Sequence, residues 1–319
     1  MHLSRRAALS AIAAFAGGSL LGLPAFAKAP LANAQAVGLN RIKIGSIEVT
    51  AISDGFLDIA LAMFKGADEA RINALMARHF RPAGPHRTSV NAYVVNTGDK
   101  LAIIDSGTIT GFAPTLARFL VGFAAAGFDA NAVDIILATH LHPDHVGGIF
   151  SAAGAVFPNA TLAVHEKEHA FWTDEGIASR APKEFQPFFK VAQDAVKPYA
   201  ARTQRFRGGE EIISGVSAVE LFGHSPGHSG FRINSGNQQL LAWGDIVHAP
   251  ALQFSSPEIT IGFDQDQNQA RETRLKIMDA VTADKVMVIG AHLDFPGFGH
   301  VEKGGSGYIF QPLPFGYGL

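Results

Sequence analysis

At 319 residues, with 47% hydrophobic and 17% charged positions, the chain can bury one large core and lacks the polarity of a disordered protein. A formal net charge of -2 provides neither the basic field that a phosphate backbone requires nor a strong acidic one, so nucleic acid is excluded as the expected partner. With no cysteine in the sequence, a disulfide framework, a thiolate zinc site and a thiol nucleophile are all ruled out. Any metal must be held by histidine and carboxylate, and thirteen histidines are present.

In chain order, Ser4-Arg5-Arg6 precedes an apolar run from Ala7 to Leu23, and Pro24-Ala25-Phe26-Ala27 supplies a small-x-small cleavage pattern. Gly17, Gly18, Gly22 and Pro24 interrupt the run, which fits a cleaved signal better than a membrane anchor. Residues 1–36 are therefore expected to be an export signal of twin-arginine type with a short linker, and 37–319 a single domain with a periplasmic or secreted destination. No later stretch is long and apolar enough to span a bilayer. Alternation of Ile42, Ile44, Ile47, Val49 and Ile52 predicts a strand, or a hairpin turning near Gly45-Ser46, followed by strands over 89–96 and 101–105. Apolar spacing over 112–126, with Pro114 in the first turn and Gly127 as a stop, predicts a helix. A buried strand over 133–138 comes next.

The second half repeats this theme: a strand over 162–164, helices over 167–172 and 185–196, and a loop or lid over 173–182 between them. Strands are then expected over 217–222, 230–234 and 239–243, a helix over 266–281 and a strand over 285–289. Strands paired in sequence but interrupted by helices predict an α/β protein, an αββα sandwich of two mixed β-sheets flanked by helices. An exposed apolar segment around Phe56 to Phe64 and the C-terminal tail is the expected contact of a homodimer.

The chemistry concentrates in Thr139-His140-Leu141-His142-Pro143-Asp144-His145, directly after a buried strand. A strand end places such residues on a loop above a rigid sheet, and Pro143 limits how that loop bends. Three imidazoles and a carboxylate this close together cannot all face one ion. His140 and His142 share a side, while a tight turn directs Asp144 and His145 to a neighbouring ion, so two metals are the natural count. His228, Asp245 and His292 stand after other apolar runs or Gly-rich turns and are the candidates to complete the set. His224 is read as shaping its turn.

This pattern resembles the metallo-β-lactamase superfamily, whose H-x-H-x-D-H motif, later His, later Asp and final His are all matched. The resemblance implies that His140, His142 and His228 hold one metal, that Asp144, His145 and His292 hold the other, and that Asp245 bridges them. It also implies that Asp105 orients the loop from outside. Two divalent ions about 3.5 to 4 Å apart lower the pKa of a shared water from about 15.7 toward 7, generating a nucleophilic hydroxide, and polarise the substrate oxygen. The ligand types favour zinc, with iron, manganese or cobalt as alternatives.

Within the superfamily, Ala51-Ile52-Ser53-Asp54-Gly55, Leu252-Gln253-Phe254 and Phe295-Pro296-Gly297-Phe298-Gly299-His300 are similar to methyl parathion hydrolase and its lactone-cleaving relatives. That similarity places Phe112, Trp172 and Phe189 as aromatic walls around a small uncharged substrate. It departs from the organophosphate pattern at His248, Ile261 and Phe263, which are taken as further substrate contacts. Asp144 and His248 are the catalytic candidates, His248 through a proton or hydrogen bond to the reacting oxygen. The departures tilt the expectation toward lactone or aryl ester hydrolysis, with phosphotriesterase activity secondary. A di-iron redox protein is disfavoured by His142, and ribonuclease-type processing by the charge. A β-lactamase stays open on the motif alone.

Overall fold

In the computed structural model, residues 31–316 are described; the export-signal expectation rests on residues 1–30 and lies outside them. From Val37 onward the chain folds as one unit. Its first sheet has seven strands: β1 (Leu39–Ile44), β2 (Ile47–Ile59), β3 (His86–Asn96), β4 (Leu101–Ile104), β5 (Ile135–Leu137), β6 (Thr161–His165) and β7 (Thr203–Phe206). The second also has seven: β8 (Glu211–Ile213), β9 (Val216–Glu220), β10 (Ser229–Ser235), β11 (Gln238–Ala242), β12 (Met287–Ile289), β13 (Gly299–Gly304) and β14 (Gly307–Pro312). In both sheets spatial order follows chain order. β1 to β4 pair antiparallel and β4 to β7 parallel. In the second sheet only β11 and β12 are parallel.

The short central strands read as continuous apolar runs because both faces are covered, and period-two alternation sends neighbours to opposite layers. Ile104, Leu137 and Ala163 meet Phe231, Leu240 and Ala242 between the sheets. Ile103, Ile136 and Leu162 turn outward against Phe119, Phe123 and Tyr199. On the far side Leu241, Trp243 and Val288 pack on Ile277, Met278 and Val281 of the helix Gln267–Ala283. Two mixed sheets are thus flanked by helices, an αββα sandwich. Among the described residues, no helix is long and apolar enough to cross a membrane.

Several local expectations are corrected. The helix expected over 112–126 is confined to Phe119–Ala125. The carboxylate of buried Asp54 gathers the N–H groups of Thr108 (2.9 Å), Ala117 (3.2 Å) and Phe119 (2.8 Å), so the preceding backbone is drawn into a loop. The lid expected over 173–182 contains the helix Glu175–Arg180, capped by the Asp174 side chain on Ile177 N–H at 2.8 Å. The helix Glu69–Arg78, capped by Asp68, was not anticipated. The segment expected as an exposed apolar contact is turned inward in part, with Ile59 and Phe64 buried against Ile72 and Met76 of that helix while Phe56, Leu57 and Leu61 are half-buried.

Candidate metal centre

The loop from Thr139 to His145 leaves the end of β5, and Asp105, at the end of β4, fixes its course. Asp105 has a φ of 59°, a left-handed conformation that Asp tolerates better than most residues. Its carboxylate accepts hydrogen bonds from Thr139 N–H (2.9 Å), the Thr139 hydroxyl (2.8 Å) and His145 Nδ1 (2.8 Å). Behind the helical turn Pro143–Val146, Gly147 permits close approach: a Cβ there would lie 1.9 Å from Ile109 N.

A second buried carboxylate, Glu168, was not singled out from the sequence. It accepts from Leu141 N–H (3.0 Å), between the two histidines of the loop, and from Ser225 Oγ (2.7 Å) and Gly227 N–H (2.8 Å), just after His224. Trp172 Nε1 donates to it as well, at 2.7 Å. One side chain thereby ties together loops more than eighty residues apart in sequence. Burial raises its pKa, and these four donors oppose the rise.

At the centre lies Asp245, ringed by imidazoles. Its Oδ2 stands 3.2 Å from Nε2 of His224, His248 and His292 and 3.7 Å from that of His140, and its Oδ1 is 3.3 Å from His145 Nε2. The donor atoms of His140, His142, His224 and Asp245 all lie within 4.8 Å of one another, as do those of Asp144, His145 and His292. The sequence expectation for the third imidazole of the first group is therefore corrected: His224 joins it and His228 does not. His228 Nδ1 donates to the Leu221 carbonyl at 2.7 Å, which leaves Nε2 as an acceptor for Asp245 N–H at 2.9 Å. With both ring nitrogens committed to backbone, His228 has no lone pair for a metal.

His140, His145, His224 and His292 show the opposite arrangement, with one nitrogen held from outside and the other facing inward, whereas His142 Nδ1 lies 3.0 Å from His224 Nε2. Thr139 Oγ1 is 3.0 Å from His140 Nδ1, the Asp264 carboxylate 2.9 Å from His224 Nδ1, and the Ser89 carbonyl 2.8 Å from His292 Nδ1. Such outer partners orient metal-binding imidazoles. On the inner side, His140 Nε2, His145 Nε2 and Asp245 Oδ1 are buried without hydrogen-bond partners, at a cost of about 1–3 kcal/mol each if left so. A cation satisfies all three, and the donor set fits a pair of divalent ions.

The electrostatics agree. Burial first, then neighbouring imidazoles, pushes His140 and His142 well below the usual histidine range, so both offer neutral lone pairs at pH 7. For His145 and His292 burial is outweighed by Asp245 and Asp144, which raise both pKa values, the mark of a negative field suited to a cation.

The expected substrate contacts divide. Trp172 presents its ring edge to His142 at 5.2 Å, although its Nε1 is taken by Glu168. Phe189 is buried behind it, 4.5 Å from the Trp172 ring, while Phe188 is the residue whose ring meets His142, at 5.7 Å. One residue of helical rotation separates core from site. Phe112 is exposed on its loop. Ile261 is buried opposite Phe64 in a two-stranded ribbon, and Phe263 packs on the same cluster, so Ile261 is a core residue. His248 is held by both backbone groups: its N–H donates to Gln253 Oε1 at 2.7 Å and its carbonyl accepts from Thr88 Oγ1. Its ring stacks on His292 at 5.0 Å, and its Nδ1 is buried without a partner.

Residues 87–292 match the metallo-beta-lactamase superfamily, and the chain belongs to it. It is a metal-dependent hydrolase of that superfamily. The hydrolase AbOPH of the same superfamily is 34% identical, with 89% of this chain and 100% of that one covered and a TM-score of 0.84. AidC, a dizinc quorum-quenching lactonase solved with a product, N-hexanoyl-L-homoserine, is 26% identical over 88% of this chain and 98% of its own, with a TM-score of 0.83. A probable metal-dependent hydrolase from Staphylococcus aureus, 19% identical over 86% of this chain and 100% of its own, shares the fold with a TM-score of 0.71. No curated protein sequence matches the chain.

Proposed function

We propose that the protein is an exported dizinc hydrolase that cleaves lactones or aryl esters, with phosphotriesters as secondary substrates. The observation that carries this reading is the convergence of His140, His142 and His224 with Asp144, His145 and His292 around Asp245, with His140 Nε2, His145 Nε2 and Asp245 Oδ1 buried and unpartnered. When bound, a pair of divalent ions supplies Lewis acidity and activates water at neutral pH.

The chain's own residues account for selectivity and orientation. Trp172 and Phe188 give the His142 side an aromatic wall suited to an uncharged acyl or aryl group. His248, held near pKa 4 by burial, is neutral at pH 7. With its Nε2–H turned to Asp245 Oδ2, Nδ1 is an acceptor, fitted to a substrate N–H or to the hydroxyl released on ring opening. This differs from the donor role inferred from the sequence. The relationship to a dizinc lactonase at 26% identity supports the lactone class, and the local likeness to methyl parathion hydrolase supports the phosphotriester arm.

The test is a panel of lactones, dihydrocoumarin, aryl esters, methyl parathion and nitrocefin against zinc-reconstituted protein. The reading requires the highest kcat/KM on a lactone or aryl ester; a clear preference for methyl parathion or nitrocefin overturns it. Export is tested by replacing Arg5 and Arg6 with Lys, which is expected to leave active enzyme in the cytoplasm.

A further inference from the structure

Among the imidazoles that turn one nitrogen inward, only two have the other nitrogen held by a charged group: His145 by Asp105 and His224 by Asp264. Each proposed ion thus has one carboxylate-backed histidine, on opposite sides of Asp245. The Asp264 side chain is buried, and its second oxygen accepts from Ile261 N–H at 3.1 Å. Both carboxylate oxygens are therefore needed as acceptors. Behind it, 3.8 Å from Oδ2, lies the guanidinium of Arg274, buried in the long C-terminal helix. Arg274 is in turn fixed by three main-chain carbonyls, Ile246 (2.6 Å), Pro257 (3.0 Å) and Ile259 (2.8 Å). The first of these belongs to the residue next to Asp245.

The geometry points to Asp264, backed by Arg274, as the positioning residue of the first metal site, setting that ion's affinity by holding His224 in the tautomer whose Nε2 lone pair faces inward. The inference rests on the dinuclear reading above. A carboxylate opposite Nδ1 keeps the ring proton there and leaves Nε2 as the donor. Asparagine at this position has one acceptor oxygen for two donors. When that oxygen serves Ile261 N–H, its amide N–H faces His224 Nδ1 and moves the ring proton to Nε2, the atom directed at the ion. Asp105 makes the same connection for His145 of the other ion, but it also holds Thr139, whose hydroxyl meets His140 Nδ1 of the first, so Asp264 is the carboxylate that acts on one ion alone.

The experiment is a stepwise chelator competition on the full-length enzyme, with cobalt(II) as the probe and visible absorption reporting each binding step, for wild type, Asp264→Asn, Asp105→Asn and the double variant. Urea unfolding of the metal-free proteins separates folding from coordination. Wild type is expected to bind two ions. Asp264→Asn should weaken one step about 10–100-fold, alter the cobalt spectrum of that step alone and leave the other within about threefold; Asp105→Asn should weaken the other step, and the double variant should show both losses. Asp264→Glu, which keeps two acceptor oxygens, should recover part of the lost affinity. Equal weakening of both steps by Asp264→Asn, or no weakening of either, overturns the inference. A wild type that binds a single ion overturns the dinuclear reading itself, and the inference with it.

Discussion

His228→Ala distinguishes a histidine that builds the site from one that binds metal. The ring bridges the Leu221 carbonyl and the Asp245 N–H, and both residues are buried. Removing it leaves two main-chain groups without partners, at about 1–3 kcal/mol each, or about 2–6 kcal/mol before the cavity left by the ring is counted. The loss falls on folding. In urea, metal-free His228→Ala should unfold at a markedly lower midpoint than wild type, while the folded protein at saturating zinc keeps both ions. His224→Ala takes away an inward Nε2 instead, and mass spectrometry after desalting should find one ion lost. The reasoning is refuted if His228→Ala loses an ion yet unfolds at the wild-type midpoint.

Further expectations concern other parts of the chain. His86 is fully buried, and burial lowers its pKa from 6.5 to about 4. The unfolded chain takes up a proton on this residue below pH 6.5 while the folded one does not until about pH 4. Stability is therefore lost as pH falls through that window, by about 3 kcal/mol. His86→Leu should flatten the fall in urea midpoint between pH 7 and pH 5 relative to wild type; parallel profiles would contradict this. Gly147→Ala places a Cβ against the Ile109 and Pro143 backbones, and should cost more than about 2 kcal/mol and reduce zinc content together, read from thermal unfolding and metal analysis. Phe188→Ala should raise KM for aryl esters about tenfold with kcat within about twofold, since burying an aryl group against one ring is worth about 1–2 kcal/mol.

What the sequence disclosed was what local pattern encodes. Most inner strands were legible because they are apolar runs bounded by turn residues, and the run His140 to His145 because its spacing is itself the chemistry; Thr203–Phe206, Glu211–Ile213, Gly299–Gly304 and Gly307–Pro312, at or next to the sheet edges and mixed in polarity, were not. The choice between His224 and His228 was not legible. Both lie in one Gly-rich turn, and their roles are set by that turn's path: Gly223 takes a φ of 126°, where an added Cβ would meet Ala270 N at 2.2 Å, while the partners of His228 are backbone groups that no side-chain pattern reveals. Glu168 and Asp264 were missed for a related reason. Their partners lie across the fold, and an acidic residue early in a predicted helix, or just before one, reads as a solvated cap. The late start of the helix Phe119–Ala125 likewise depends on Asp54, more than fifty residues upstream.

The central claim, a dinuclear centre around Asp245, is tested most directly by anomalous diffraction at the zinc edge from crystals of the purified enzyme. Two peaks are predicted, one contacted by His140, His142 and His224 and the other by Asp144, His145 and His292, with an Asp245 oxygen between them. A single peak, or density at His228 in place of His224, would contradict it.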